Sequence, residues 1–189
     1  MNLQLLHSAP HIDIHFDSYN DWLYVNWSGD LTLPLVKAGC AYVGQCFLSH
    51  PYPRVLNDNT HVTSISWNTA PWLISDFMPH LRLVGVQQMA WVRSPSLPGL
   101  SMVQTVVSWL PHLAIAVFDD VEDGSDWLQR GRRTAGAMYD YPYPARSAAT
   151  QQRIATIAAD LTRQAGLTHL FAPTDEEKRK PHEVTKVIK

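Results

Sequence analysis

Alternation of apolar and polar residues dominates the first thirty positions of the chain. The segments LQLLHS (3–8), HIDIHF (11–16) and WLYVNW (22–27) each alternate with a period of two, which is typical of half-buried β-strands. The turn-forming residues DSYND (17–21) separate the second segment from the third. Three short strands in series predict an antiparallel meander at the start of the chain.

The period of the pattern then changes to that of a helix. From about Thr32 to Ser49 the apolar residues recur at helical spacing, with Thr32 as the expected N-cap and Pro34 in the first turn. A second helix is predicted from about Thr69 to Val84, where Pro79 should open the backbone hydrogen bonding locally. Three further helices are predicted over about 99–110, 121–130 and 147–164.

Apolar strands alternate with these helices. They are RVLND (54–58), QQMAWV (87–92) and LAIAVF (113–118), and strands joined through helices pair in parallel. The predicted fold class is therefore α/β, with a mixed sheet in which an N-terminal antiparallel meander is followed by strand–helix alternation. We assign residues 1–131 to this domain. Residues 132–189 form an extension with a Pro- and Tyr-rich linker, an amphipathic helix and a charged tail.

Composition and charge limit the expected partners. A chain of 189 residues, 46% hydrophobic and 17% charged, suits one globular domain with an extension. Lys and Arg minus Asp and Glu give 5 − 11 = −6 for residues 1–131 and 10 − 6 = +4 for residues 132–189, which sum to the total of −2. An acidic body is a poor surface for phosphate groups, so we expect no nucleic-acid partner.

Compartment and redox state follow from the apolar runs and the two cysteines. No uncharged apolar stretch reaches the roughly 18 residues that a membrane span needs, and the first residues do not resemble a signal peptide. Cys40 and Cys46 are expected on different faces of the first helix, which favours free thiols over a disulfide or a metal pair. These features predict a cytoplasmic protein without a cofactor.

Four segments, taken in order, resemble a known family. They are NDWLYVNWSG (20–29), VLNDNT (55–60), AWVRSP (90–95) and FDDVEDGSDWL (118–128). Together they resemble the STAS-like fold of bacterial anti-sigma-factor antagonists, and look closest to an uncharacterised bacterial branch of that superfamily. The resemblance covers about residues 3–130 and implies a non-enzymatic domain that acts by binding a protein partner.

The resemblance also implies a candidate switch. In the antagonists, a partner kinase phosphorylates a serine that follows an aspartate at the start of a helix. Ser66 stands at about the right place, although its neighbours are Ile65 and Trp67 and the Asp-Ser pair is absent. A phosphate near a helix start would meet unpaired amide donors and the positive end of the helix dipole. Alternatively, Ser66 and its neighbours are loop and cap residues that satisfy those amides themselves.

Short polar residues after a buried strand form the main candidate binding site. Side chains at the carboxyl end of a parallel strand lie where open α/β sheets bind ligands, although Asp and Asn also hold tight turns through their own hydrogen bonds. The candidate ligand- or partner-binding residues are Asn57, Asp58, Asn59, Thr60, Trp67, Arg93 and Ser94. The alternative to partner binding is a pocket for a small apolar ligand or lipid between the 57–67 and 93–95 loops, with Trp27 and Trp67 as expected lining residues.

Other chemistries have weaker support in the sequence. His11, Asp13 and His15 alternate as metal ligands on a strand can, but a half-buried strand presents its wet face in the same way, and we predict no metal. The acidic run from Asp119 lacks the oxygen ligands of a calcium loop. A hydrolase using Asp58 would need a histidine within hydrogen-bond reach of it, and no nucleophile-elbow motif supports one.

The C-terminal helix bears on the oligomeric state. Its apolar stripe includes Ile154, Ile157 and Leu161, and an isolated amphipathic helix is marginal in water. It must therefore dock on its own domain or on a second copy. We expect a homodimer in which this helix packs across the two-fold interface.

Overall fold

One six-stranded sheet organises the residues that the computed structural model describes, which are 1–95, 113–134 and 145–167. The strands are β1 (Leu3–Ala9), β2 (Ile12–Asp17), β3 (Trp22–Leu31), β4 (Arg54–Ile65), β5 (Gln88–Val92) and β6 (Ala114–Phe118). They lie side by side in the order of the chain. Pairing is antiparallel from β1 to β3 and parallel from β3 to β6. The predicted fold class, a meander followed by strand–helix alternation, is confirmed.

Helices cover the two faces of the sheet unequally. They are α1 (Leu33–Ser49), α2 (Thr69–Trp72, continued by a π turn Leu73–Phe77 and a 3-10 turn Met78–His80), α3 (Val121–Thr134) and α4 (Ala148–Gln164). The larger core lies between the sheet and α1, α2 and α4, and a smaller one lies under α3. No helix in these described ranges is long and apolar enough to cross a membrane. The helix predicted over 99–110, the linker from Tyr139 and the charged tail lie outside the described residues.

Strand β4 is longer than the sequence predicts. The prediction ended the strand at Asp58 and placed a polar loop after it, but β4 continues to Ile65. It stays paired with β3 from Val55 to Ile65, although β5 ends opposite Asp58. Beyond that point β4 has a described neighbour on one side only, so polar residues occupy the strand without disrupting a buried ladder. The loop interpretation of residues 57–60 is therefore wrong.

Close packing of α1 on β3 depends on a glycine. A Cβ added at Gly39 would overlap the ring of Trp27 and would lie 3.1 Å from Ile12 Cδ1. The missing side chain lets the helix approach the indole, and both residues are buried. Gly39 thereby sets the distance between α1 and the sheet.

Helix α4 docks on its own chain. Its residues Ile154 and Leu161 are buried in the larger core, Ala158 is also buried, and the helix lies against α1. Gln45 Nε2 donates to Thr162 Oγ1 at 3.3 Å, and Trp72 Nε1 in α2 donates to Gln164 Oε1 at 2.9 Å. The apolar stripe is thus covered in cis, and the expected packing of this helix across a dimer interface is not what the structure shows.

The turn between β2 and β3 is built on a buried carboxylate, Asp17. Its oxygens accept hydrogen bonds from the Asn20 side chain (2.7 Å) and from the backbone N–H groups of Asn2 (3.0 Å), Tyr19 (3.1 Å) and Asn20 (3.2 Å). Burial alone would raise the pKa of Asp17, but these four donors together lower it below the ordinary value. The turn therefore needs the ionised form of Asp17.

We expect Gly39→Ala to lower the free energy of unfolding by about 1–3 kcal/mol, because overpacking against Trp27 outweighs the helix propensity gained. Gly44→Ala in the same helix is the matched control. Its added Cβ would meet Leu161 Cδ1 at 3.4 Å, an ordinary contact, so stability should rise by up to about 1 kcal/mol. Urea unfolding of both variants checks this, and equal changes would contradict the role of Gly39.

We expect Asp17→Asn to lower the free energy of unfolding at pH 7 by about 1.5–3 kcal/mol, since hydrogen bonds to a charged group are lost. A lowered folded-state pKa stabilises the fold above the unfolded-state pKa of about 3.9. This stabilisation is lost as the pH falls through the folded-state value. The difference between wild type and variant should therefore shrink below about pH 4, and urea unfolding at both pH values measures it. A difference that stays constant with pH would contradict the assignment.

Candidate functional site

A small cavity lies between the sheet and helices α1 and α2. It is partly open to the surface and has a volume of about 50 Å³. The lining side chains are Trp27, Leu31, Val36, Cys40, Asn57, Asn59, Ile65, Leu73, Phe77, Met78, Met89 and Trp91. Protein cores contain few voids larger than a water molecule. A cavity of this size, walled by aromatic and sulfur-containing side chains, is therefore the main candidate for a ligand site.

The irregular helix α2 provides one wall of the cavity. Leu73 and Phe77 lie in its π turn, and Met78 begins the 3-10 turn that follows. Pro79 cannot donate the hydrogen bond of a regular helix, which accounts for the change of helix type predicted from the sequence. Single π turns are frequent at functional sites.

Two asparagines of β4 supply the polar groups among the lining residues. Asn57 Oδ1 accepts a hydrogen bond from Trp27 Nε1 at 3.0 Å. Asn59 Nδ2 donates to the backbone oxygen of Val92 at 2.9 Å, where β5 has ended. Each side-chain amide is therefore held in place through one of its two polar groups, the oxygen of Asn57 and the nitrogen of Asn59. Asn57 Nδ2 and Asn59 Oδ1 have no hydrogen-bond partner among the described residues.

The cavity lining is uncharged. No Asp, Glu, Lys, Arg or His is among the described residues that line it. Burial raises the pKa of the Cys40 thiol far above its ordinary value, so Cys40 stays protonated at neutral pH. Cys40 and Cys46 are free thiols, as predicted. The cavity offers packing and hydrogen bonds to neutral groups, but no thiolate.

The other two residues of the predicted polar quartet face the opposite side of the sheet. Successive side chains of a strand alternate between faces, so Asp58 lies away from the cavity. Asp58 is 3% exposed and accepts hydrogen bonds from Tyr24 (2.8 Å), the Thr60 hydroxyl (2.6 Å) and the Thr60 backbone N–H (2.9 Å). The predicted set is therefore split between two faces.

Asp58 has structural partners in place of a catalytic one. Burial, and then the hydrogen bond to Asp58, raise the pKa of Tyr24, so its hydroxyl remains a donor. His15 stacks on the Tyr24 ring with centroids 5.9 Å apart, but no histidine among the described residues hydrogen-bonds to Asp58. Within residues 1–95, 113–134 and 145–167, the condition that the sequence set for a hydrolase is not met.

Ser66 and Trp67 follow β4 directly. The Ser66 hydroxyl donates to the backbone oxygen of Leu31 at 3.3 Å, and the N-cap of the four-residue α2 segment is Asn68. Ser66 is thus bonded to β3 and does not cap the helix. Trp67 is 87% exposed and lies outside the cavity, whereas Trp27 lines it as expected.

The two candidate residues of the second predicted loop, Arg93 and Ser94, have different surroundings. Arg93 forms an ion pair with Asp119 at the surface, where the guanidinium holds the pKa of that carboxyl below its ordinary value. Ser94 is buried and donates to the Val62 backbone oxygen at 2.6 Å. Neither residue lines the cavity.

The three residues weighed as metal ligands do not converge. His11 precedes β2, and its Nδ1 lies 3.2 Å from the Ser28 backbone oxygen. Asp13 accepts a hydrogen bond from Ser8 at 2.6 Å. A search of the described residues for three or more His, Cys, Asp or Glu side chains placed to hold a metal ion finds none.

Comparison with known proteins gives one similarity of fold. No protein-family model matches the sequence, and no curated protein matches it. A similar solved structure is the crystal structure of an uncharacterized protein of the DUF3478 family with a SpoIIAA-like fold from Shewanella loihica PV-4. It is 19% identical, covers 65% of this chain and 98% of that one, and superposes with a TM-score of 0.45. Its SpoIIAA-like fold is the STAS-like fold that the four sequence segments resemble.

We expect Tyr24→Phe to lower the free energy of unfolding by about 1–3 kcal/mol, because it leaves one oxygen of the buried Asp58 without a donor. Tyr42→Phe is the control. Its ring stacks on His7, but its hydroxyl has no hydrogen-bond partner among the described residues, and the change should be within about 0.5 kcal/mol. Thermal unfolding of both variants measures the difference. A Tyr24→Phe protein as stable as wild type would contradict the structural role of this hydrogen bond.

Proposed function

We propose that this protein binds a small, largely apolar molecule in the cavity between its sheet and helices α1 and α2. The observation that carries the proposal is an apolar cavity that keeps two amide groups for a ligand. Small-molecule sites have this composition, with apolar walls and a few fixed polar groups. The proposed activity is binding without catalysis. The small apolar ligand, which the sequence suggested as the alternative to a protein partner, is the ligand class that we favour.

The volume of the cavity limits the size of the ligand. About 50 Å³ corresponds to roughly three to five water-sized groups, since one such group needs about 10–15 Å³ by this measure. Met78 and Met89 border the cavity and have flexible side chains that adapt to different shapes. The part of the ligand inside the cavity is therefore a group of at most about five heavy atoms.

Binding is tested by titration with isobutyl chloride, a neutral probe of this size. We expect the methyl resonances of Met78 and Met89 to shift in a saturable way in the full-length protein. Cys40→Leu places extra carbons in the cavity and should abolish the shift. Cys46→Leu, in the same helix but outside the cavity lining, should keep it.

The control and the contrary results are distinct. Thermal unfolding verifies that each variant is folded. If Cys40→Leu does not fold, Val36→Ile replaces it, because it adds one carbon to the same wall of the cavity. Methyl resonances that do not move in the wild-type protein would contradict ligand binding. A shift that persists when the cavity is filled would place the binding elsewhere.

A second candidate function is association with another copy of the chain through β1. This strand lies at the edge of the sheet and exposes three leucines, Leu3 (42%), Leu5 (55%) and Leu6 (37%). An edge strand with apolar side chains is a template for pairing with another strand. The expected homodimer would then form by β1–β1 pairing, with α4 remaining on its own chain.

We expect the full-length protein to be dimeric by light scattering at high micromolar concentration and Leu5→Lys to be monomeric, because a charge on the edge strand opposes pairing. Lys37→Ala, which changes a surface charge on α1, is the control and should stay dimeric. A monomeric wild-type protein would exclude the homodimer, and a dimeric Leu5→Lys would exclude β1 as its interface.

Ser66 remains a proposed switch of partner binding. A phosphate there would replace the long hydrogen bond to Leu31 and add about two negative charges beside the exposed Trp67. We expect Ser66→Asp to weaken association without unfolding the domain. Unchanged association in this variant, with Ser66 unmodified in cells under all growth conditions, would remove the switch from the proposal.

A further inference from the structure

The two asparagines define which polar group the cavity accepts. Asn57 uses its oxygen for Trp27, so the group that it keeps is the NH₂ donor. Asn59 uses its nitrogen for the Val92 backbone oxygen, so the group that it keeps is the carbonyl acceptor. Both amides line the same cavity. A ligand group that satisfies both must accept one hydrogen bond and donate another.

Charge excludes several groups that bind amides well. An ammonium would lack an anionic partner and would meet the NH₂ of Asn57, and a carboxylate would meet the carbonyl of Asn59. Transfer of an ion to an apolar site without an opposite charge is very unfavourable. An ether or a ketone can only accept, which would leave the Asn59 oxygen desolvated and unpaired.

Size separates the remaining groups. A hydroxyl accepts and donates through one heavy atom, whereas a primary amide needs three heavy atoms for the same two functions. With room for about five heavy atoms, a hydroxyl leaves a four-carbon apolar part for the aromatic and methionine walls.

We propose that the cavity recognises a small aliphatic alcohol, through a hydroxyl that accepts from Asn57 Nδ2 and donates to Asn59 Oδ1. The proposal rests on the proposed function, because it specifies the ligand of the same cavity. Trp27 and Val92 act through the asparagines by holding each amide in one orientation. The alcohol is either a free molecule or the hydroxyl end of a longer chain whose remainder leaves the cavity.

The experiment compares four probes that share an isobutyl group: isobutanol, isobutyl chloride, isobutylamine and isovalerate. Each is titrated at pH 7 into the full-length protein, with the Met78 methyl resonance as the readout. We expect isobutanol to bind with a dissociation constant of about 1 mM, as a five-atom ligand does. Isobutylammonium and isovalerate should give no shift at concentrations at which isobutanol saturates.

The contribution of each asparagine is measured as a change in the ratio of isobutanol affinity to isobutyl chloride affinity. A ratio is needed because isobutyl chloride is more apolar than isobutanol and differs from it in affinity for that reason alone. We expect Asn57→Leu and Asn59→Leu each to reduce the ratio of alcohol affinity to chloride affinity about fivefold, the value of one net hydrogen bond. Cys46→Leu, outside the cavity lining, is the control and should leave the ratio within about twofold. If one asparagine variant does not fold, the affinity ratio of the other variant and the titrations with the charged probes still test the alcohol assignment.

Failure of this inference differs from failure of the proposed function. If a charged probe binds as tightly as isobutanol, or if neither asparagine variant changes the ratio, the alcohol assignment is wrong although the cavity binds ligands. If isobutyl chloride also leaves Met78 unmoved, the cavity binds none of these molecules and the proposed function itself is wrong. If the asparagine variants lose affinity for isobutanol but keep their affinity for isobutyl chloride, the result supports both the alcohol assignment and the proposed function.

Discussion

Parallel pairing of β4 with β3 is the interaction on which the remaining structure depends. It joins the antiparallel meander to the parallel half of the sheet, and it continues beyond the end of β5. Because β4 remains a strand there, its alternate residues reach different layers. Asn57 and Asn59 line the cavity under α1, while Asp58 faces Tyr24 on the other side. A loop at this position would not impose that separation.

The elements were predictable where the hydrophobic period was clear, and less so where tertiary pairing decided the structure. The meander and α1 follow patterns of period two or 3.6, β5 and β6 are short apolar runs, and Pro79 indicated a local break in the hydrogen bonding of α2. Strand β4 has no such pattern at residues 57–60, which are all polar, and the prediction ended the strand there. Its strand conformation comes from pairing with β3 and from side-chain bonds to Val92 and Ser94, which reside elsewhere in the sequence.

The candidate site was only partly visible in the sequence for the same reason. Asn57, Asn59 and Trp27 were singled out by residue type. Their separation from Asp58 and Thr60 could have been found by extending the strand alternation past Asp58. The wall formed by Phe77 and Met78 had no comparable signal, because it depends on how the π turn of α2 lies over the sheet. Residue chemistry indicated the polar groups, whereas the cavity itself is a product of packing.

Docking of α4 has a consequence for the order in which the molecule is completed during synthesis. Thr162 is 117 residues from its partner Gln45, and ribosomes add roughly 5–20 residues per second. For roughly 6–25 seconds, therefore, the nascent chain has α1 and then the strands of the sheet, but not the helix that packs against α1. Incomplete chains with exposed apolar surface are prone to aggregate. A ribosome that stalls after β6 would leave the α1 surface bare, and this nascent intermediate is where a chaperone would be needed.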